Sequence, residues 1–164
     1  MKNIFKTLAI VALGFFATSC VSADVDNVQL VDGDGVVNFT VSAPHTTSRA
    51  IADGKKATDL VCVVYDKDWN YLTTIDDCDF DGSSLKTTVT IRLVNKKEYN
   101  FIFWADVPGN SHYTKAFGTT PGENVPAPTV TVNYGTDAND ESRDAFFGTH
   151  NLIVDGTMNE DVKL

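Results

Sequence analysis

Apolar and polar residues alternate in short runs along most of this chain. Across residues 36–41, Val37, Phe39 and Val41 alternate with Asn38 and Thr40, the two-residue period of a half-buried strand. Residues 60–65 form an unbroken apolar run, which predicts a central strand. Asp66, Lys67, Asp68, Trp69 and Asn70 then read as a turn, and 71–75 returns as the hairpin partner. Residues 87–93 place Val89, Ile91 and Leu93 on one face, and 99–105 are apolar on both faces. Residues 129–134 alternate again, and 152–154 predict a short last strand. Residues 121–128, rich in Pro and Gly, read as an irregular connection, and the polar run 137–144 reads as an exposed loop. No segment beyond the first 20 residues keeps apolar residues at helical spacing for three turns. About seven strands separated by turn signals predict an all-β, antiparallel β-sandwich.

The first residues carry a different pattern. Lys2 and Lys6 precede an apolar run over 8–16, followed by Ala17, Thr18, Ser19 and Cys20. A basic start, a short apolar stretch and small residues before a cut site form an export signal. The run is shorter than the roughly 20 residues that a membrane span needs. Small residues directly before a Cys resemble a lipobox, whose Cys is lipidated and becomes the first mature residue. The expected organisation is a lipoprotein signal over 1–19, an acidic tether over 20–35 with Asp24 and Asp26, and a sandwich domain over 36–164. Several lipid chains on Cys20 would hold the protein at the cell outer membrane.

Charge narrows the partners. The chain has a formal net charge of −9, and residues 1–19 hold two lysines and no acid, so their removal leaves −11. An acidic surface disfavours nucleic acid, whose phosphates require Lys and Arg. Two cysteines follow Cys20. In an exported protein Cys62 and Cys78 are candidates for a disulfide, with a buried free Cys62 and an exposed Cys78 as the alternative.

Candidate chemistry is sparse. His45, His112 and His150 are far apart in turn-like contexts, and the chain has no nucleophile elbow and no Gly-rich phosphate loop. No enzyme activity and no cofactor are expected. Asp66, Asp68 and Asn70 have the one-three-five spacing that can surround calcium, with Asp77 at the twelfth position, but Tyr71 stands where such a loop needs Gly. The same composition also suits a hairpin turn. Thr46-Thr47-Ser48-Arg49-Ala50-Ile51 is a polar connection with one basic residue, the accessible kind that an Arg-specific protease cuts.

These elements together are similar to a known family. Arg49-Ala50, Asp53-Gly54, the run from Leu60 to Asp66, Tyr71-Leu72, the run from Tyr99 to Ala105, and Arg143-Asp144-Ala145-Phe146-Phe147 resemble the N-terminal domain of the fimbrillin-like lipoproteins of Bacteroidota, the type V pilus subunits. The resemblance implies a transthyretin-like sandwich that is exported as a lipoprotein. It also implies cleavage between Arg49 and Ala50, loss of the strand carrying Val37, Phe39 and Val41, and entry of a strand from another pilus subunit. Polymerising members continue into a second domain and a donor segment, whereas this chain stops at Leu164, just after what reads as the start of a further strand at Val162. The alternative function is a lipid-anchored binding module for glycan or protein, using Trp69, Tyr71 and Tyr113.

Overall fold

A computed structural model describes residues 28–30, 33–44, 54–133, 135 and 140–164. They form strands β1 (Val28–Leu30), β2 (Gly35–Ser42), β3 (Asp59–Asp66), β4 (Tyr71–Ile75), β5 (Lys86–Leu93), β6 (Glu98–Asp106), β7 (Tyr113–Ala116) and β8 (Thr129–Val132). A short 3-10 turn over Glu141–Arg143 leads into β9 (Ala145–Ile153) and β10 (Thr157–Lys163).

The strands lie in a four-stranded sheet ordered β1-β5-β2-β10, a second ordered β4-β3-β6-β9, and a β7-β8 hairpin. The alternation in β2 and β5 is the cause of the first layer. Val37, Phe39 and Val41 share one face with Val89, Ile91 and Leu93 across an antiparallel register, and all six are fully buried. They meet Leu60, Cys62, Val64, Phe101 and Phe103 of the facing sheet in one core. The predicted β-sandwich is therefore the fold.

The unbroken apolar runs have a separate cause. β3 and β6 are the inner strands of their sheet, and their outer faces are covered as well. Val63, Tyr65, Tyr71, Ile102, Trp104 and Phe117 form a second core there, with Tyr113 of β7 and Val130 of β8 packed against it. The buried Tyr65 hydroxyl is satisfied by donating to the Phe117 carbonyl at 2.6 Å.

Several expectations change. There are ten strands among the described residues, rather than about seven. Two pairings, β1 with β5 and β10 with β2, are parallel, so the sandwich is not wholly antiparallel. The stretch 152–154 ends in the long strand β9, and Val162 lies near the end of a strand rather than at its start. Val28–Leu30, placed by sequence in the tether, is a strand beside β5.

Candidate strand-exchange site

β2 occupies a slot between two strands. It pairs antiparallel with β5 from Gly35↔Leu93 to Ser42↔Lys86, and parallel with β10 from Val36↔Thr157 to Ser42↔Lys163. Beyond the strand, the Ala43 N–H donates to the Leu85 carbonyl at 3.0 Å, and the Leu164 N–H donates to the Ser42 carbonyl at 2.9 Å. On the outer face, Asn38 donates to Asn159 at 3.1 Å and accepts from Thr90 at 2.9 Å, tying all three strands together.

The inner face is packed in the core. Phe39 lies edge-on to Phe101, Phe103 and His150, with ring centroids 4.8, 5.2 and 5.6 Å away. Burying two Val and one Phe contributes about 1.5–3 kcal/mol each. That sum is comparable with the net stability of a whole domain, about 5–15 kcal/mol. Without β2, β10 has no other partner in its sheet, and an apolar slot opens between β5 and β10.

The connection from β2 to β3 contains the expected cleavage point, and Arg49 and Ala50 lie outside the described residues, as do Cys20 and His45. Its return lies against the segment that follows β8. Gly54 has φ +74, and a Cβ there would stand 2.4 Å from the Phe146 ring, so only glycine fits. Lys56 pairs with Glu141 at 2.5 Å. Both contacts fasten the chain after residue 53 to the part that follows β8.

The other candidate residues have structural roles. The Asp66 carboxylate accepts from the Asp68 N–H at 2.9 Å, the Asn70 N–H at 2.9 Å and the Asn70 side chain at 2.8 Å. Burial opposes its ionisation, but these hydrogen bonds outweigh it and hold the carboxyl below the usual aspartate range. Asp68 pairs with Lys67, and Asn70 joins Asn124, so the three residues form a hydrogen-bonded hairpin turn. Among the described residues, no cluster of His, Cys, Asp and Glu has the geometry to hold a metal ion.

Cys62 and Cys78 are free thiols in the same core, and Cys78 is buried rather than exposed. Cys78 donates to the Leu60 carbonyl at 3.2 Å. Burial, then the neighbouring Cys78, pushes the Cys62 thiol well up, and burial raises Cys78 to about 12.

Of the aromatic residues considered for glycan binding, Tyr71 is inside, and Trp69 and Tyr113 are half-buried. The Tyr71 ring lies 6.2 Å from that of Tyr65, and Trp69 packs against Tyr65 at a tilt, with ring centroids 5.3 Å apart. Tyr113 packs on Trp104 at 5.1 Å and donates to the Arg143 carbonyl. His150 belongs to a strand, facing Phe39 and Glu160. His112 does approach Ser142 and Asp140, yet the same Nε2 faces both, at 2.9 and 3.4 Å. A serine–histidine–aspartate relay needs the two ring nitrogens to divide those tasks. Asp140 instead caps the Glu141–Arg143 turn by accepting from the Ser142 N–H.

A family profile defined only as a family of unknown function, DUF6562, matches residues 29–164. The chain belongs to DUF6562. Its matched region runs from within β1 to the end of β10, so the slot and both strands that bound it belong to the DUF6562 domain. No curated protein matches the chain. Two solved structures resemble it. One is a DUF1812 protein of Bacteroides thetaiotaomicron with a provisional polysaccharide-binding description, at 17% identity and a TM-score of 0.46, covering 77% of this chain and 46% of its own. The other is a protein of Bacteroides ovatus provisionally described as an adhesin, at 12% identity and a TM-score of 0.43, covering 80% of this chain and 45% of its own. This chain thus spans about half the length of each.

Proposed function

We propose that this DUF6562 chain is a cell-surface structural or adhesion subunit that acts by strand exchange. It is exported as a lipoprotein, held at the outer membrane through Cys20, and cut between Arg49 and Ala50. The observation that supports this reading is the position of β1 and β2 on opposite sides of β5. Both strands precede Arg49, so one cut in the connection before β3 severs them together from the rest of the fold. The Gly54–Phe146 and Lys56–Glu141 contacts keep the new N-terminus attached to the remaining body. The opened slot then needs a strand with large apolar residues at alternate positions, matching Val37, Phe39 and Val41.

Arg49→Ala tests the mechanism in the native host. The variant is expected to stay uncut and to retain residues 20–49. Processing and surface assembly at the parental level in that variant would overturn the reading. In vitro, a nicked chain should exchange its N-terminal fragment for a peptide carrying residues 35–44, and Phe39→Asp in that peptide should abolish uptake.

A further inference from the structure

The two sheets have four edges, and three of them are protected. β1 is only three residues long. β10 carries Glu160, Asp161 and Lys163. The edge of β4 is met at Tyr71 by the loop from β7 to β8, which exchanges hydrogen bonds with it at Gly122 and Glu123. Short strands, charges and covering loops are the usual ways of preventing unwanted strand pairing. Among the described residues, β9 has none of these. It is nine residues long, Ala-Phe-Phe-Gly-Thr-His-Asn-Leu-Ile, without a charged residue or proline.

The exposed apolar residues lie along the same edge. Among the described residues, the exposed large hydrophobics are Val132 at 46%, Phe147 at 53% and Ile153 at 59%. Phe147 and Ile153 are on the outer face of β9, and Val132 shares with Phe147 an apolar groove of about 380 Å³ whose walls include Trp104 and Phe117. Ile153 borders a second cleft of about 470 Å³, whose walls are mostly charged, with Lys67, Lys96 and Glu98 among them.

We propose that β9 is a dimer edge, pairing antiparallel with β9 of a second copy of this chain. The sequence of the strand is self-complementary. In an antiparallel pair, only residues on the same face stand opposite each other. A two-fold axis at His150 sets Phe147 of each copy against Ile153 of the other, and Thr149 against Asn151. Apolar then meets apolar and polar meets polar, with the aromatic–β-branched pair favoured across strands. Ile153 of the second copy enters the apolar groove beside Phe147. A chain of net charge −9 repels its copy, and a charge-free strand is where that repulsion is least.

The size fits a modest dimer. Seven paired residues give an edge about 24 Å long. With side chains on both faces, this buries on the order of 1,000 Å² in all, the threshold for a specific interface. The inference does not depend on strand removal, because β9 pairs with β6 and is untouched by loss of β1 and β2.

Sedimentation velocity on the full chain in mild detergent tests it. A concentration-dependent dimer is expected. Ile153→Lys and Phe147→Lys should each weaken it by roughly tenfold or more, through an unpaired charge at the edge. Both residues are exposed, so the monomer should keep its fold. A mixture of Phe147→Cys and Ile153→Cys chains should form a disulfide-linked dimer, while neither alone does. A chain that is monomeric at every concentration would overturn the proposal, as would a dimer indifferent to both lysines or Phe147→Cys cross-linking to itself. A monomer whose β9 captures only a foreign strand would also overturn it.

Discussion

Phe39 of β2 lies edge-on to Phe101 of β6, their ring centroids 4.8 Å apart at an interplanar angle of 61°. This contact joins the strand assigned to leave with the sheet that stays. Phe39→Ala should destabilise the uncut chain by about 3–5 kcal/mol, through lost burial and the cavity left behind. Chemical denaturation measures this directly. A loss well under 1 kcal/mol would mean that β2 is held mainly by its backbone pairing.

The turn at Asp66 predicts a pH signature. Its three accepted hydrogen bonds stabilise the ionised form, so its folded pKa lies below its unfolded one. The stability it contributes is present above the unfolded value, about 3.9, and is lost as pH falls through the folded value. Asp66→Ala should cost about 1–2 kcal/mol at neutral pH. The gap between variant and parent should close under acidic conditions. Denaturation at neutral pH and near pH 3 checks both points.

Asp106 is buried, and it accepts from the Trp104 indole at 2.9 Å and from Lys115 at 3.2 Å. Asp106→Ala leaves both donors without this partner. The expected loss is about 1–3 kcal/mol, because the buried Trp104 indole is left without an acceptor while the exposed Lys115 ammonium returns to water. Tryptophan fluorescence during unfolding should report the change through Trp104. A near-neutral result would show that water takes over both donors.

The two core thiols should be inert. With burial holding Cys62 well above the usual thiol range and Cys78 near 12, neither forms appreciable thiolate at pH 8. Iodoacetamide should leave Cys62 and Cys78 unlabelled in the reduced, folded chain and modify both after denaturation, as read by mass spectrometry of their peptides. Rapid labelling of either thiol in the folded chain would contradict its burial.

The sandwich was readable where periodicity and burial agree. Val37, Phe39 and Val41 alternate because one face of β2 meets the core, and Tyr99 to Ala105 read as central because both faces of β6 are covered. β10 was harder to read. It buries only Val162 fully on its inner face, and Asn159, Glu160 and Asp161 look like loop. β7 and β8 are short and mostly exposed, so the cover they give to Trp104 and Phe117 is a tertiary fact with little local signal. The start of β9 was obscured by adjacent Phe146 and Phe147, which break the alternation, and by Gly148, which sits under Leu164. The slot itself depends on pairing between β2 and β10, whose residues are about 120 positions apart. No local pattern encodes so distant a parallel register, although the loop holding Arg49 was legible as a polar break.

The most direct test is the intact mass of the protein recovered from its native cell surface. Strand exchange predicts a lipid-free chain beginning at Ala50, with β1 and β2 gone. An acylated chain beginning at Cys20, with the Arg49–Ala50 bond intact, would contradict it and point instead to a constitutively anchored surface module.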